Sequence, residues 1–232
     1  MEEKFVFLKN PFEKIEKGNV ANFQDKCLEI AERLFKEYCI QCGEKKYYFA
    51  EIEFCYYDKD NFNQKWNEKT YPRTDKDAGT LFFHYSGVDI CFDSKFSKGK
   101  FGGILIRSLK VEDNETKFIT GPSVCMLELL NVCVEQKALL PELKEDNGNK
   151  GCEVCKKPIE RYGIRYKEKE KELKDVPLCF FDQKLFEKYK SNNNKETFKN
   201  AKWDYGRDKN GIIKGETNLV RYYHRFDNVN NK

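Results

Sequence analysis

Residues 47–57 of the chain read YYFAEIEFCYY. An apolar and aromatic run of this length predicts a buried strand, and Glu53 stands inside it. A second apolar run, GGILI over residues 102–106, ends in Arg107. A carboxylate and a guanidinium on neighbouring apolar strands are costly to bury unless they face a polar cavity. Glu53 and Arg107 therefore predict a functional site, and an ion pair that only orders the sheet is the alternative.

The flanking sequence predicts a sheet with helices beside it. Apolar residues recur at three- and four-residue steps over residues 22–38, which is typical of an amphipathic helix. Residues 39–42 and 47–57 flank a turn and predict a β-hairpin. Other strands are predicted over 79–84, 87–92, 102–109, 162–166 and 176–181, and other helices from Pro122 and over 183–190. We interpret residues 5–8 as a short strand or an N-terminal plug, 58–78 as a long loop and 140–151 as a surface excursion.

The predicted fold is α/β (α+β), a single domain over residues 1–232 with a curved antiparallel sheet flanked by helices. Its core spans about residues 21–181. Residues 182–232 form a basic, aromatic C-terminal extension, since residues 183–232 hold 12 Lys and Arg against 6 Asp and Glu. Such a mixture of cations and rings suits phosphates and bases, or else it is a solvated lysine-rich face whose rings pack on the core.

Composition limits the class of protein. The N-terminus lacks the apolar core of a signal peptide and the 10 cysteines lack the spacing of a secreted domain, so we expect an intracellular chain, in cytoplasm, nucleoid or nucleus, with reduced thiols. No apolar run approaches the roughly 20 residues of a membrane helix, so no membrane partner is expected. The chain is expected to be a monomer.

Two Cys-x-x-Cys pairs, Cys39 with Cys42 and Cys152 with Cys155, have the spacing of zinc ligands. The first pair lacks a Gly or Pro turn between its cysteines, whereas the second lies in a setting that is typical of a zinc knuckle. Free cysteine is also a common small core residue. No metal and no cofactor are predicted, and a structural zinc stays the alternative.

Several short motifs in order resemble the alkyladenine (3-methyladenine) DNA glycosylases over roughly residues 21–181. The motifs are Ile52-Glu53-Phe54, Gly79-Thr80-Leu81, Gly87 and Asp93, Arg107-Ser108-Leu109, Gly121-Pro122-Ser123 and Arg161-Tyr162-Gly163-Ile164. The resemblance implies a monofunctional enzyme of base excision repair. Such an enzyme binds double-stranded DNA, flips out a damaged or modified base and hydrolyses its N-glycosidic bond.

The resemblance also implies roles for named residues. Glu53 matches the general base that activates the attacking water, and Arg107 matches an arginine near that water and the adjacent phosphate, so both are catalytic candidates. The candidates for binding the substrate are His84, which matches a pocket tyrosine, Asp93, which matches an asparagine that limits the accepted purines, and Tyr56, Tyr57, Tyr85 and Ser86.

Two positions depart from the family pattern, and the loop over residues 58–78 lacks the histidine that the family has there. Cys55 stands where the family has a base-stacking tyrosine, so a one-residue slip would be needed to bring Tyr56 or Tyr57 there. Ser86 replaces the intercalating tyrosine, which leaves Tyr85 as the candidate wedge. A catalytically inactive nucleic-acid-binding protein with the same fold is therefore the main alternative. A zinc nucleobase deaminase lacks its His-x-Glu motif here, and the basic residues disfavour a small-molecule nucleoside hydrolase.

Overall fold

A computed structural model describes residues 4–16, 19–58, 76–92, 100–112, 114–146, 151–152 and 179–182. Over these residues the chain is a mixed α/β structure, in which an antiparallel β-sheet curls into a half-barrel and carries two helices. The helices are a 3-10 helix at Val6–Leu8, α1 at Val20–Glu37 and α2 at Pro122–Glu135. The strands are β1 (Tyr38–Cys42), β2 (Lys45–Asp58), β3 (Leu81–His84), β4 (Gly87–Cys91), β5 (Lys100–Val111), β6 (Asn114–Thr120), β7 (Glu142–Glu145) and β8 (Cys179–Phe181).

The two longest strands, β2 and β5, form the centre of the sheet. The strand order is β3-β4-β5-β2-β1-β7, with β6 pairing β5 and β8 pairing β2, and every described pair is antiparallel. On the side of β2 away from β5, β1 pairs with its first part and β8 with its middle. The candidate residues of β2 and β5 therefore lie where the sheet is held from both sides.

Helix α1 forms where the periodicity predicts it. The Asn19 side chain accepts a hydrogen bond from the backbone N–H of Asn22 at 3.1 Å and so caps the first turn. The apolar face buries Phe23, Ile30 and Leu34 completely against the sheet. Because helices of this length depend on such a packed face for most of their stability, burial against the sheet and the cap together account for α1.

The N-terminal segment packs into the core. The Phe12 ring, 1% exposed, lies 4.5 Å from the Phe23 ring, 4.6 Å from the Tyr56 ring and 5.4 Å from the Phe92 ring, as measured between centroids. Leu8 is fully buried at the end of the 3-10 helix. Of the two interpretations of residues 5–8, the plug is confirmed and the strand is wrong.

Most predicted elements in the described residues are confirmed, with two exceptions. Strand β6 was not predicted, and residues 140–151 were predicted as a surface excursion although Glu142–Glu145 is β7, which pairs with β1. In β7 Leu143 is buried and the other three residues are exposed and charged, so the strand has too little apolar pattern to be recognised. Charged residues are common on edge strands because they discourage further pairing.

Some predictions fall outside the described residues. They are the strand over 162–166, the helix over 183–190, the C-terminal extension and nearly all of the loop over 58–78. The strand predicted over 176–181 is described for its last three residues, as β8. In the described part of the chain, neither α1 nor α2 is long and apolar enough to cross a membrane.

Because the N-terminal segment belongs to the core, truncating Phe12 should lower the free energy of unfolding as much as truncating a core residue of the sheet does. We expect Phe12→Ala to lower the free energy of unfolding by about 3–5 kcal/mol, because it leaves a cavity between three rings. Urea denaturation followed by circular dichroism measures this. Val6→Ala, at a 58% exposed position, is the control and should change stability by about 0.5 kcal/mol or less. A similar small effect of Phe12→Ala would show that the segment is not part of the folded core.

Candidate functional site

The sheet brings Glu53 and Arg107 together as the sequence predicts. Glu53 on β2 pairs with Leu105 on β5, and Arg107 lies two residues further along β5. The Arg107 Nη1 donates to Glu53 Oε2 at 2.8 Å, the short distance of a charge-assisted hydrogen bond. The Glu53 side chain is 13% exposed and that of Arg107 is 1% exposed. The carboxylate is therefore slightly exposed, whereas the guanidinium is covered.

A second carboxylate, Glu51, completes this cluster. Its Oε1 lies 3.3 Å from Arg107 Nε, and its Oε2 accepts a hydrogen bond from Ser108 Oγ at 3.3 Å. One guanidinium thus lies between two glutamates, with Nη1 hydrogen-bonded to Glu53 and Nε close to Glu51. Sequence reasoning did not single out Glu51, although its position two residues before Glu53 already put both side chains on one face of the strand.

Two irregularities in the sheet make this cluster possible. The register between β2 and β5 shifts at Ala50 and again at Arg107, since neither residue has a partner on the other strand. An extra residue reverses which face the following side chains take. Before the shift Tyr47 and Phe49 belong to the apolar core, and after it Ile52 and the following even-numbered residues do, so the glutamates face the other way.

The same geometry corrects the prediction for Tyr56. Tyr56 is three residues from Glu53 on a regular part of β2, so the two side chains take opposite faces. Its ring packs against Phe12, Phe23 and Phe92 in the core and is 8% exposed. The slip that would bring Tyr56 to the site does not occur, because the bulge of β2 lies upstream of Glu53. The side chain of Tyr57 and all of Asp93 lie outside the described residues.

The predicted role of Arg107 at a phosphate stays a prediction. With 1% of its side chain exposed, the guanidinium is covered by the protein. It contacts Glu51 and Glu53, and its backbone carbonyl accepts the N–H of Gly121 just before α2. These contacts suit a residue that positions the carboxylates.

Three other predicted residues lie at the end of β3 and in the turn that follows it. Tyr85 is 95% exposed at the tip of the hairpin, as a residue that enters a partner must be. Ser86 is also exposed, and its hydroxyl lies 3.1 Å from His84 Nδ1. His84 is half-buried as a residue, and its Nε2 lies 3.2 Å from Asp89 Oδ2. The sequence did not single out Asp89. It stands between apolar residues of β4, and nothing in that strand indicated that a histidine of β3 would lie beside it.

The cluster of Glu51, Glu53 and Arg107 lies on the same face of the sheet as the His84–Asp89 pair. Asp89 on β4 and Glu53 on β2 both pair with Leu105 on β5, so the three residues form one row across the sheet. Adjacent strands are about 4.8 Å apart, which puts the backbones of Asp89 and Glu53 about 10 Å apart. The Arg107 cluster therefore lies on one side of Leu105, and the His84–Asp89 pair lies on the other.

The cysteines of the first Cys-x-x-Cys pair point in different directions. Cys42 donates to the carbonyl of Leu129 on α2, whereas Cys39, three residues before it on β1, takes the opposite face. Burial raises the pKa of Cys42 to about 12, and burial with the nearby Asp146 carboxylate raises that of Cys39 to about 11. Within the described residues no three side chains of Cys, His, Asp or Glu are grouped for a metal, and Cys155 lies outside them.

Comparisons with protein-family models, with curated proteins and with solved structures found no match to this chain. The function must therefore be argued from the residues of the site.

Arg107 should contribute much more to stability than an ordinary cation on the same strand. We expect Arg107→Met to lower the free energy of unfolding by about 3–5 kcal/mol, because it leaves two buried carboxylates without their cation. Lys110→Met, on the same strand with its Nζ 5.9 Å from the Tyr48 ring centroid, is the matched control and should cost about 1 kcal/mol or less. Urea denaturation compares the two variants. Equal costs would mean that Arg107 does not hold the glutamates.

The raised pKa values of Cys39 and Cys42 predict loss of stability at alkaline pH. The folded protein favours both thiols in their protonated form, so their contribution is present below the ordinary thiol pKa of 9.0 and is lost as pH rises towards about 12. We expect the urea midpoint to fall over this range, and to fall less in Cys42→Ala than in the wild type. An identical fall in both proteins would contradict the assignment to Cys42.

Proposed function

We propose that the chain is a DNA glycosylase that hydrolyses the N-glycosidic bond of a flipped-out damaged or modified base, on a fold like that of the alkyladenine DNA glycosylases. The observation that carries the proposal is the Glu53 carboxylate, hydrogen-bonded to a buried arginine on a curled sheet and still 13% exposed. The order of motifs supports the family assignment, and the curled antiparallel sheet is compatible with it.

In this mechanism Glu53 is the general base. Its carboxylate orients a water molecule and takes a proton from it as the oxygen attacks C1′ of the flipped nucleotide. The negative charge also stabilises the positive charge that develops on the sugar. Arg107 fixes the rotamer of Glu53 and keeps it ionised, because a cation at 2.8 Å favours the charged form of a carboxyl group.

Tyr85 is the residue that best suits insertion into the DNA. A ring that replaces an extruded base must project from the surface, and Tyr85 is nearly fully exposed on a tight hairpin. Pairing along β3 and β4 fixes the position of this turn relative to Leu105 and hence to Glu53. The turn would enter the duplex as the nucleotide leaves it, which offsets part of the stacking energy lost on flipping.

One observation favours the alternative, a binding protein that has lost catalysis. Cys55 lies on the face of Glu53, and the nearby Tyr56 is packed in the core, so neither supplies the expected stacking ring. Stacking on an aromatic ring contributes about 1–3 kcal/mol per base. A pocket without it holds a flipped base less tightly, unless residues outside the described ranges supply another ring.

Replacing the general base separates the two candidate functions. We expect Glu53→Gln to lower the rate of base release by about 10²–10⁴-fold, because the amide cannot take a proton from water, while DNA affinity is retained. The substrates are duplexes with hypoxanthine, ethenoadenine or 7-methylguanine, and abasic sites are cleaved with alkali and quantified. Glu142→Gln, an exposed glutamate on β7, is the control.

If wild-type protein forms no more abasic product than Glu53→Gln on any of these lesions, but binds DNA, the binding protein is the correct interpretation. If it neither releases a base nor binds DNA, both functions are excluded.

A further inference from the structure

A cavity of about 620 Å³ lies beside the N-terminal segment, where this segment meets α1 and the β1–β7 pair. The N-terminal segment contributes residues 4–7, and α1 contributes Arg33. The sheet contributes Tyr38 on β1 and residues 143–145 on β7. The volume falls within the roughly 300–1,000 Å³ that is usual for small-molecule sites, so the cavity can hold a small ligand.

The buried part of the lining is aromatic and apolar. Phe7, Tyr38 and Leu143 are buried there. The centroid of the Tyr38 ring lies 5.2 Å from that of Phe7 and 5.8 Å from that of Phe5. The Tyr38 hydroxyl donates to Glu145 Oε1 at 3.2 Å. These rings offer faces and edges against which another planar ring can pack.

The more exposed part of the lining gathers three cations from three elements. Lys4 is exposed in the N-terminal segment, Arg33 on α1 has a side chain 40% exposed, and Lys144 on β7 has one 46% exposed. Glu145 is the anion of this lining, so the lining carries a net charge of two positive units. Like charges held near one another repel, and a bound anion relieves that repulsion.

The ion pairs made by two of these cations are weak. Arg33 Nε lies 3.1 Å from Glu37 Oε2, and Lys144 Nζ lies 3.6 Å from Glu142 Oε2. Both glutamate side chains are at least half exposed, and ion pairs at such positions are screened by water and contribute little. The guanidinium carbon of Arg33 lies 4.3 Å from the Phe7 ring centroid. Arg33 is thus positioned over the aromatic part of the cavity, and its Nη atoms can donate to an anion there.

Phe5 lines the cavity in an uncommon backbone conformation. Its φ of 59° and ψ of 33° are left-handed, which a bulky residue rarely adopts. Its ring packs on Gly79, where a β-carbon would overlap the ring. Strained residues of this kind persist only where their surroundings hold them, and they are found at ligand clamps. The position of the Phe5 ring is therefore a defined feature of the cavity.

We propose that this cavity binds a small molecule that joins a planar aromatic ring to a phosphate, as a nucleoside monophosphate does. The base packs against the aromatic part of the lining, and the phosphate meets Lys4, Arg33 and Lys144. A phosphate monoester carries about 1.5–2 negative charges at pH 7, so it matches the net charge of the lining better than a single carboxylate does. Its oxygens also suit the parallel donors of an arginine.

The cavity is separate from the candidate catalytic site. Tyr38 belongs to the apolar core, on the face of the sheet that α1 covers. Glu53 points to the opposite face, because the core residues of this part of β2 are Ile52 and Phe54. A ligand in the cavity therefore does not contact Glu53. Binding there does not depend on the glycosylase function proposed above.

Calorimetric titration of the full chain with adenosine monophosphate tests this site. We expect one molecule bound per chain, and an affinity that falls about 10-fold or more in Arg33→Gln and about 3-fold or more in Lys144→Gln, because the phosphate loses a charged donor. Lys36→Gln is the matched control, since Lys36 is an exposed cation on the same helix and does not line the cavity. It should change the affinity less than about 2-fold.

Other ligands test which part of the molecule is recognised. Adenosine lacks the phosphate and inorganic phosphate lacks the ring, so each should bind at least about 10-fold more weakly than adenosine monophosphate. A 5′-phosphorylated oligonucleotide offers the same groups at the end of a strand. Loss of its binding in Arg33→Gln, with or without loss of adenosine monophosphate binding, shows whether the cavity takes a strand end or a free nucleotide.

The outcomes that would overturn the site are distinct from a failure of the glycosylase. Absence of binding by both phosphorylated ligands would overturn it, as would binding that neither Arg33→Gln nor Lys144→Gln weakens. Adenosine bound as tightly as adenosine monophosphate would overturn the role of the cations. Urea midpoints show whether each variant is folded. Absence of base release by the wild type, with binding that depends on Arg33, would overturn the glycosylase and support the site.

Discussion

The buried guanidinium of Arg107 is the constraint on which the centre of this structure depends. It contacts a glutamate on each side, and the two register shifts of β2 and β5 bring all three side chains to one face. Each shift alone would misalign the strands. Together they cancel, so pairing is regular again from Ile52 with Ile106 onwards. The apolar faces before and after the shifts therefore pack into one continuous core.

The sequence was sufficient for elements with a strong apolar period. Helix α1, the β1–β2 hairpin and strand β5 follow from the spacing of buried residues, and the turn glycine at residue 43 marks the hairpin. It was insufficient to predict β6 and β7, which are short or charged. These two segments are strands because β5 pairs with β6 and β1 pairs with β7. Pairing energy of this kind comes from tertiary structure and leaves little trace in local composition.

The candidate site also combines contacts that the sequence predicted with contacts that it did not. The proximity of Glu53 and Arg107 was predictable, since both interrupt apolar strands that a single sheet would bring together. The burial of Tyr56 in the core was not, because it depends on whether an extra residue lies before or after Glu53. The contact of His84 with Asp89 was also hidden, since it depends on the register of a hairpin whose turn carries no Asn-Gly or Asp-Gly signal.

The packing of Phe12 has a consequence for the order in which the chain matures on the ribosome. This ring is made early, and Phe23 follows it within the next helix, but Tyr56 and Phe92 emerge about 40 and about 80 residues later. Until then the Phe12 ring lacks two of its three aromatic neighbours, because contacts distant in sequence form only after their loops close. Phe12 can therefore reach its final packing only once Phe92, just after β4, has been made.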